Sequence, residues 1–205
     1  MDTGESLRER RRRETRGVIA RAAMRLFAER GFDQVSVTEI AAAAGVSDKT
    51  VYNYFPVKAE IFFDEAGDIL AELLAAVQYR AAGQSALDAV ATFLAGRAEW
   101  AAGRRPDQPT SRFRQLIAES PALQAQQRLM FARYETALAI RLAEETGEPA
   151  GSVQPFIAAV ALIGVLRAAF ETSRDGNPGQ DPASAALGLL AGGLASYATR
   201  AREPG

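Results

Sequence analysis

Residues 36–58 read SVTEIAAAAGVSDKTVYNYFPVK and contain the start and stop signals of two short helices. Ser36 and Glu39 have the S-x-x-E spacing of a capping box, which marks the start of a helix. Gly45 ends that helix after about two turns, because glycine readily adopts the left-handed conformation found just beyond a helix. The sequence therefore predicts one short helix between Ser36 and Gly45.

A second short helix follows at once. Ser47 can cap its first turn, and Pro56 ends it, since proline disfavours the helical conformation in the residue before it. An amphipathic helix precedes both, at about residues 15–30, where apolar side chains recur on one helix face before Gly31. The order of three helices, with a three-residue turn between the last two, is that of a helix-turn-helix domain.

Composition removes several classes of chemistry. The chain has 205 residues, with 24 basic and 25 acidic side chains, and it contains neither histidine nor cysteine. These absences exclude zinc fingers, disulfide scaffolds, thiol nucleophiles and histidine-based triads. The sequence contains no paired acids in an apolar setting and no nucleophile motif, which are the patterns that would indicate catalysis. We therefore predict a protein that is not an enzyme and uses no metal or cofactor.

The net charge of −1 is unevenly distributed. Residues 8–30 carry nine arginines and three glutamates, a net charge of +6, which leaves −7 for the rest of the chain. A basic segment of this kind suits the phosphate backbone of a nucleic acid, where each neutralised phosphate releases counterions. The alternative is a charged helix face that is merely solvated.

Beyond Pro56 the pattern is helical throughout, so we expect an all-α protein of nine helices. The six further helices are predicted at about residues 57–80, 84–102, 110–119, 122–146, 152–173 and 182–201. The longest charge-free apolar run, residues 155–166, is shorter than the roughly 18 residues that a membrane span needs. With no secretory signal pattern either, the sequence predicts a cytoplasmic protein without a membrane segment.

The helix-turn-helix residues also occur together in a known family. The segments SVTEIA (36–41), AGVS (44–47) and TVYNYF (50–55), followed by Lys58, resemble the N-terminal DNA-binding domain of the TetR family of transcriptional regulators. The resemblance covers about a quarter of the chain, and Tyr54 stands where the family often has histidine.

The resemblance implies a TetR-like architecture. Its domains would be a basic, flexible arm at 1–14, the helix-turn-helix domain at 15–60, and a helical ligand-binding and dimerisation domain at 61–205. It also implies a regulator, usually a repressor, that binds a palindromic operator in double-stranded DNA as a homodimer and is released by a small-molecule effector. The alternative is a helical interaction module that keeps the fold without binding an operator.

Side-chain chemistry and the resemblance together indicate which residues contact DNA. Lys49 can reach guanine O6 and N7, and Asn53 or Tyr54 can meet base edges or phosphates. The remaining candidates suit phosphate contacts or the positioning of the third helix: Thr38, Ser47, Thr50, Tyr52 and Lys58. Each has a structural alternative, since a tyrosine can pack in the core, a threonine can cap a helix and an asparagine can face solvent. Asp48 would repel phosphate and suits capping better.

The arm at residues 8–13 has three possible roles: it follows the DNA backbone, enters a minor groove, or is disordered.

The resemblance also implies an effector pocket. A largely apolar effector would contact Phe93, Trp100, Phe113, Leu116, Met130, Phe131, Tyr134, Arg167 and Phe170. Aromatic residues at helical spacing also pack in protein cores, which is the alternative for this set. Arg167 needs a partner in its apolar helix, and either Glu171 or an anionic group of the ligand can supply it.

The last two helices have surfaces suited to association. The resemblance implies a four-helix bundle between two copies, formed by Phe156, Val160, Gly164, Leu187, Gly188, Leu190, Gly192, Leu194 and Tyr197. A core within one chain explains these apolar patterns equally well.

Overall fold

The computed structural model describes residues 6–104, 110–171 and 182–192, without the side chains at 98–104, 110–111, 171 and 182–184. Ten helices follow one another in these ranges: α1 (Leu7–Arg30), α2 (Val37–Ala44), α3 (Asp48–Tyr54), α4 (Lys58–Phe62), α5 (Ala66–Gln78), α6 (Ala86–Arg104), α7 (Thr110–Glu119), α8 (Pro121–Thr146), α9 (Val153–Glu171) and α10 (Pro182–Gly192). No strand occurs in the same ranges. The expected all-α class is confirmed.

Two helices differ from the sequence prediction. The helix expected at 57–80 is divided into α4 and α5, because Phe63 leaves the helical conformation with φ of −102° and ψ of 36°. Helix α1 begins at Leu7, because Ser6 and Glu9 form a capping box ahead of it. The Ser6 hydroxyl accepts from the Glu9 N–H at 3.2 Å, and the Glu9 carboxylate accepts from the Ser6 N–H at 2.9 Å. From Leu7 onwards, the segment expected to be a flexible arm is therefore helix.

The chain forms two compact units, and the first consists of Met1–Gly67 and Gln108–Met130. Helix α1 packs against α2, α4 and α7 in this unit. Its centre is apolar, with Ile19, Phe27, Ile40 and Ile61 completely buried. The first unit thus adds α7 and the start of α8 to the helix-turn-helix domain, which was expected to end at residue 60.

The second unit consists of Asp68–Asp107 and Phe131–Gly205. Helix α9 packs against α6 and α10, and Leu73, Leu138 and Ile163 are completely buried. Arg80, which follows α5, forms an ion pair with Glu145 of α8.

Helix α9 is the most apolar long helix of the second unit. Its residues Val153–Phe170 could cross a membrane by length and composition, and 28% of them are buried. A single helix of this kind is a weak indication, because core helices of soluble proteins have the same length and composition.

Candidate nucleic-acid interface

The two short helices begin and end where the capping residues predict. The Ser36 hydroxyl accepts from the Glu39 N–H at 3.2 Å, and the Glu39 carboxylate accepts from the Ser36 N–H at 2.8 Å. Gly45 has a φ of 69° in the left-handed region just after α2. The Ser47 hydroxyl accepts from the Thr50 N–H at 3.1 Å and caps α3. The predicted helix-turn-helix is confirmed.

The carboxylate of Glu39 is held in its charged form. Hydrogen bonds from the Ser36 backbone N–H and from the Arg30 guanidinium lower the pKa of Glu39 to about 2. The Arg30 Nη1 atom lies 2.7 Å from Glu39 Oε1, and its Nη2 atom donates to the Gln34 carbonyl at 3.0 Å. Arg30 therefore ties the end of α1 to the beginning of α2.

Helix α3 has a buried side and an exposed side. Val51, and Phe55 just after the helix, are each 1% exposed. Lys49, Tyr52 and Asn53 are exposed, and 53% of the Tyr52 surface is accessible. Tyr52 therefore does not pack in the core, and the exposed side of α3 offers an ammonium, a phenol and an amide to a partner.

Some of the candidate DNA-contact residues use their hydroxyl groups within the protein. Thr38 Oγ1 donates to Asp48 Oδ2 at 2.6 Å and joins α2 to α3. Phosphate oxygens only accept hydrogen bonds, and a threonine has a single hydroxyl hydrogen, so this geometry favours a positioning role for Thr38. The hydroxyls of Ser47 and Thr50 lie 2.8 Å apart. One of them donates to the other, which leaves one hydroxyl hydrogen for a phosphate.

Lys58 is held against the loop between α1 and α2. Its Nζ atom donates to the carbonyl oxygens of Phe32 at 3.0 Å and Val35 at 2.9 Å. The same atom lies 4.2 Å from the centre of the Phe32 ring. Burial lowers the pKa of Lys58, and the carboxylate of Asp33 offsets this only in part. The geometry favours a structural role over the phosphate contact expected from the sequence.

Arg16 positions the end of α3, a role that the sequence did not indicate. Its Nε atom pairs with Asp64 Oδ1 at 2.6 Å, and its Nη1 atom donates to the Tyr54 carbonyl at 3.2 Å. Its guanidinium lies 4.2 Å from the centre of the Phe55 ring. In the sequence, Arg16 is one of nine arginines in residues 8–30, and its partners lie far along the chain.

An aromatic core supports the helix-turn-helix. The ring centres of Phe27 and Phe32 are 4.9 Å apart. Phe62 and Phe113 are stacked, with ring centres 4.2 Å apart and an interplanar angle of 20°. Phe113, which is half-buried, therefore packs against this aromatic core, and its place in an effector pocket stays a prediction.

The residues expected to line the effector pocket are divided between the units. Phe113, Leu116 and Met130 belong to the first unit, whereas Phe93, Phe131, Tyr134, Arg167 and Phe170 belong to the second; the side chain of Trp100 lies outside the described part. Within the second unit, the Phe131 ring centre is 6.1 Å from that of Phe170 and 6.2 Å from that of Tyr134. Burial raises the pKa of Tyr134 to about 12. The second unit thus contains an aromatic cluster around Phe131.

Arg167 lies beside this cluster and has a partner on another helix. Its Nη2 atom pairs with Glu135 Oε1 of α8 at 3.0 Å, and its guanidinium lies 4.8 Å from the centre of the Phe131 ring. The pairing with Glu171 that the sequence suggested involves a side chain outside the described part. The Nε atom of Arg167 is buried and makes no hydrogen bond to a described residue.

Helix α9 has two apolar faces with different surroundings. Ala159, Leu162, Ile163 and Leu166 are buried. On the other face Phe156, Ile157 and Val160 are 49%, 62% and 38% exposed. The glycines of the expected dimer interface, Gly164, Gly188 and Gly192, are also exposed, while Leu187 and Leu190 are half-buried and Leu194 and Tyr197 lie outside the described residues. The described core of one chain therefore leaves the expected α9 contact residues uncovered.

Comparison with known proteins agrees with this arrangement. Residues 19–64 match the family described as bacterial regulatory proteins of the tetR family, and residues 81–195 match the MftR C-terminal domain. The chain is 31% identical over 177 residues to the putative mycofactocin biosynthesis transcriptional regulator MftR of Mycobacterium tuberculosis (strain ATCC 25618 / H37Rv). That match covers 82% of this chain and 83% of the relative.

Solved structures share the fold. Thermus thermophilus FadR, a TetR-family transcriptional repressor in complex with lauroyl-CoA, is 26% identical with a TM-score of 0.53, covering 93% of this chain and 99% of that one. NalD, the secondary repressor of the MexAB-OprM multidrug efflux pump in Pseudomonas aeruginosa, is 21% identical with a TM-score of 0.55, covering 88% and 95%.

The matched families and relatives are DNA-binding transcriptional regulators and not enzymes. The C-terminal match extends over more than half of the chain, and the 31% identical relative spans most of both proteins. These matches, together with the capped helix-turn-helix, establish that the chain belongs to the TetR family of transcriptional regulators.

Proposed function

We propose that two copies of this chain bind a palindromic operator as a repressor and that a small-molecule effector releases the DNA. The observation that carries the DNA-binding part is the exposed side of α3, where Lys49, Tyr52 and Asn53 stand on a capped helix. Lysine can bind guanine O6 and N7 in the major groove, and asparagine can bind adenine N6 and N7. The protein would act in the cytoplasm, where its operator lies.

A second copy is needed because one short recognition helix contacts few base pairs. Two such helices would read half-sites about 34–36 Å apart, one turn of DNA. The exposed face of α9 supports a bundle between two copies, since Phe156, Ile157 and Val160 would be buried there. At Gly164 an added Cβ would meet no heavy atom of the described residues within 4 Å, so a neighbouring helix has room to approach.

We infer that the effector binds the second unit beside the aromatic cluster around Phe131. The buried, unbonded Nε–H of Arg167 suits an acceptor atom on a largely apolar molecule. The lauroyl-CoA complex of Thermus thermophilus FadR supports an apolar chain as the ligand class. An effector could bind more tightly to dimers whose two α3 helices are not spaced to match the operator half-sites. Such an effector would shift the population away from the DNA-bound form.

We also propose that the protein regulates genes for the biosynthesis of mycofactocin, as the name of its relative MftR indicates for that protein. The support is that the similarity extends beyond the common DNA-binding domain, because residues 81–195 match the MftR C-terminal domain. The purified protein should protect DNA upstream of the mycofactocin biosynthesis genes of its own organism in a nuclease footprint. Protection upstream of its own gene alone would contradict this narrower assignment.

The central experiment is operator binding by the full chain. A footprint locates the protected palindrome in the DNA flanking the gene, and fluorescence anisotropy then measures affinity. Lys49→Ala should weaken operator binding by about fivefold to 150-fold, because a base contact is worth about 1–3 kcal/mol. Arg133→Ala removes an exposed charge from α8 and should leave affinity unchanged. Absence of a protected operator would favour the helical interaction module without DNA binding.

A further inference from the structure

An open groove of about 600 Å³ lies between the first two turns of α1 and the last turn of α3. We call it the arginine groove; its lining residues are Leu7, Arg8, Arg11, Arg12, Thr15, Asn53 and Tyr54. Among the described residues, three guanidinium groups and no carboxylate line it. Such a surface attracts anions.

The arginines of the groove belong to one face of an ordered helix. Arg8, Arg11 and Arg12 are separated by three and four positions, which brings their side chains onto the same side of α1. The capping box of Ser6 and Glu9 fixes the beginning of that helix. Arg10 does not line the groove and pairs with Glu14 at 3.1 Å. The arginines of the basic segment therefore lie on different faces of α1: Arg8, Arg11 and Arg12 line the groove, whereas Arg10 does not.

Contacts within the first unit hold the two walls of the groove together. The Arg12 guanidinium lies 5.7 Å from the centre of the Tyr54 ring. Arg16, one turn further along α1, donates to the Tyr54 carbonyl. The backbone walls of the arginine groove and the Arg12 side chain are therefore in place before any ligand arrives, while Arg8 and Arg11 are exposed.

The groove continues the exposed side of α3. Asn53 belongs to both, since it lines the groove and is exposed beside Lys49 and Tyr52 on α3. We propose that the arginine groove binds the sugar-phosphate backbone of the DNA flanking the bases read by α3. The inference rests on the proposed function. In it, the beginning of α1 contributes affinity for DNA of any sequence, since phosphate contacts position a protein without reading bases.

The test compares two triple variants of the full chain that lose the same charge from the same helix. Arg8→Ala/Arg11→Ala/Arg12→Ala empties the groove of charge, whereas Arg10→Ala/Arg21→Ala/Arg25→Ala removes three exposed arginines outside its lining. Alanine preserves helix propensity. Anisotropy is measured with the operator and with an unrelated duplex over a salt series.

We expect the groove variant to lose affinity for both duplexes by the same factor, at least about tenfold near 0.1 M salt. The slope of log K against log salt should fall by about 0.9 for each phosphate that the variant no longer neutralises. The control variant should keep most of the slope. A variant with only Arg8→Ala/Arg11→Ala keeps the Arg12–Tyr54 contact and should show the same direction of change, which separates weaker binding from a folding defect.

Each other outcome has a definite meaning. Equal losses of affinity in both triple variants would overturn the proposed role of the groove, because the loss of three positive charges from α1 would by itself explain them. The salt slope of the groove variant could instead be unchanged while Lys49→Ala still weakens operator binding. That result would overturn the phosphate-binding role of the groove and leave the proposed function intact. If the unmodified chain bound no operator, the proposed function would fail, whatever the groove does with unrelated duplex.

Discussion

Replacing Lys58 by methionine separates a structural role from a DNA contact. Methionine keeps most of the apolar stem against the Phe32 ring but removes the ammonium group. The carbonyl oxygens of Phe32 and Val35 then lose the donors that lie at 3.0 and 2.9 Å. Hydrogen bonds from a charged donor contribute about 1.5–3 kcal/mol each where they are buried. Lys58 is half-buried, so water can replace part of that contribution.

We therefore expect Lys58→Met to lower the free energy of unfolding by about 2 kcal/mol. For a chain of this length, a change of about 1 kcal/mol shifts the Tm by about 2–4 °C, so the Tm should fall by about 4–8 °C. Thermal unfolding followed by circular dichroism measures this. At temperatures where the variant is fully folded, the salt slope of operator binding should be unchanged.

Lys49→Met is the matched control, since Lys49 is exposed on α3 and undergoes the same chemical change. It should reduce operator affinity with little change in Tm. The opposite result for Lys58→Met would refute the reasoning: an unchanged Tm together with a salt slope reduced by about one would make Lys58 a phosphate contact, as the sequence predicts.

The pKa of Glu39 is lowered from 4.5 to about 2 by the Ser36 N–H and Arg30, so its stabilising effect is complete above pH 4.5 and is lost as the pH falls towards 2. The difference in urea midpoint between the unmodified chain and Glu39→Gln should shrink over that window, and a constant difference would argue against the lowered pKa, since glutamine keeps an acceptor for the capping box. Gly164→Arg should yield monomers in sedimentation analysis with an unchanged helical signal, because the described residues of the chain leave space there and the arginine would obstruct only a neighbouring helix; a persistent dimer would exclude this face. Arg16→Lys should weaken binding to the operator and to unrelated duplex and lower the Tm, since one ammonium cannot replace both the Asp64 pair and the Tyr54 carbonyl contact; an unchanged Tm would remove its positioning role.

Local signals were sufficient for the helix-turn-helix. Ser36, Gly45 and Ser47 act on residues within four positions, so the sequence alone predicts where α2 and α3 begin and end. The start of α1 was also marked, because Ser6 and Glu9 have the same S-x-x-E spacing as Ser36 and Glu39. The prediction of a basic, flexible arm at residues 1–14 did not use that signal.

The roles of Lys58 and Arg16 could not be predicted in the same way. Each donates to a distant backbone carbonyl, Lys58 to Phe32 26 positions away and Arg16 to Tyr54 38 positions away, and every residue type presents a carbonyl, so no sequence pattern marks these acceptors. A basic residue near a recognition helix therefore has two possible partners, a phosphate or a carbonyl of its own chain. Only the folded geometry distinguishes them.

Helix α9 illustrates the same limit for apolar side chains. Ile163 and Val160 are both β-branched and three positions apart, yet one is completely buried and the other is 38% exposed. The helical period places them near one stripe, so the sequence predicts an apolar helix without saying which neighbours cover which face. Ile163 contributes to the core of one chain, whereas the described residues leave Val160, Phe156 and Ile157 exposed, and these three gain burial if another surface meets them. Because a second copy presents the same apolar face, two-fold association would cover both copies at once, and this reciprocity favours a dimer over contact with an unrelated partner.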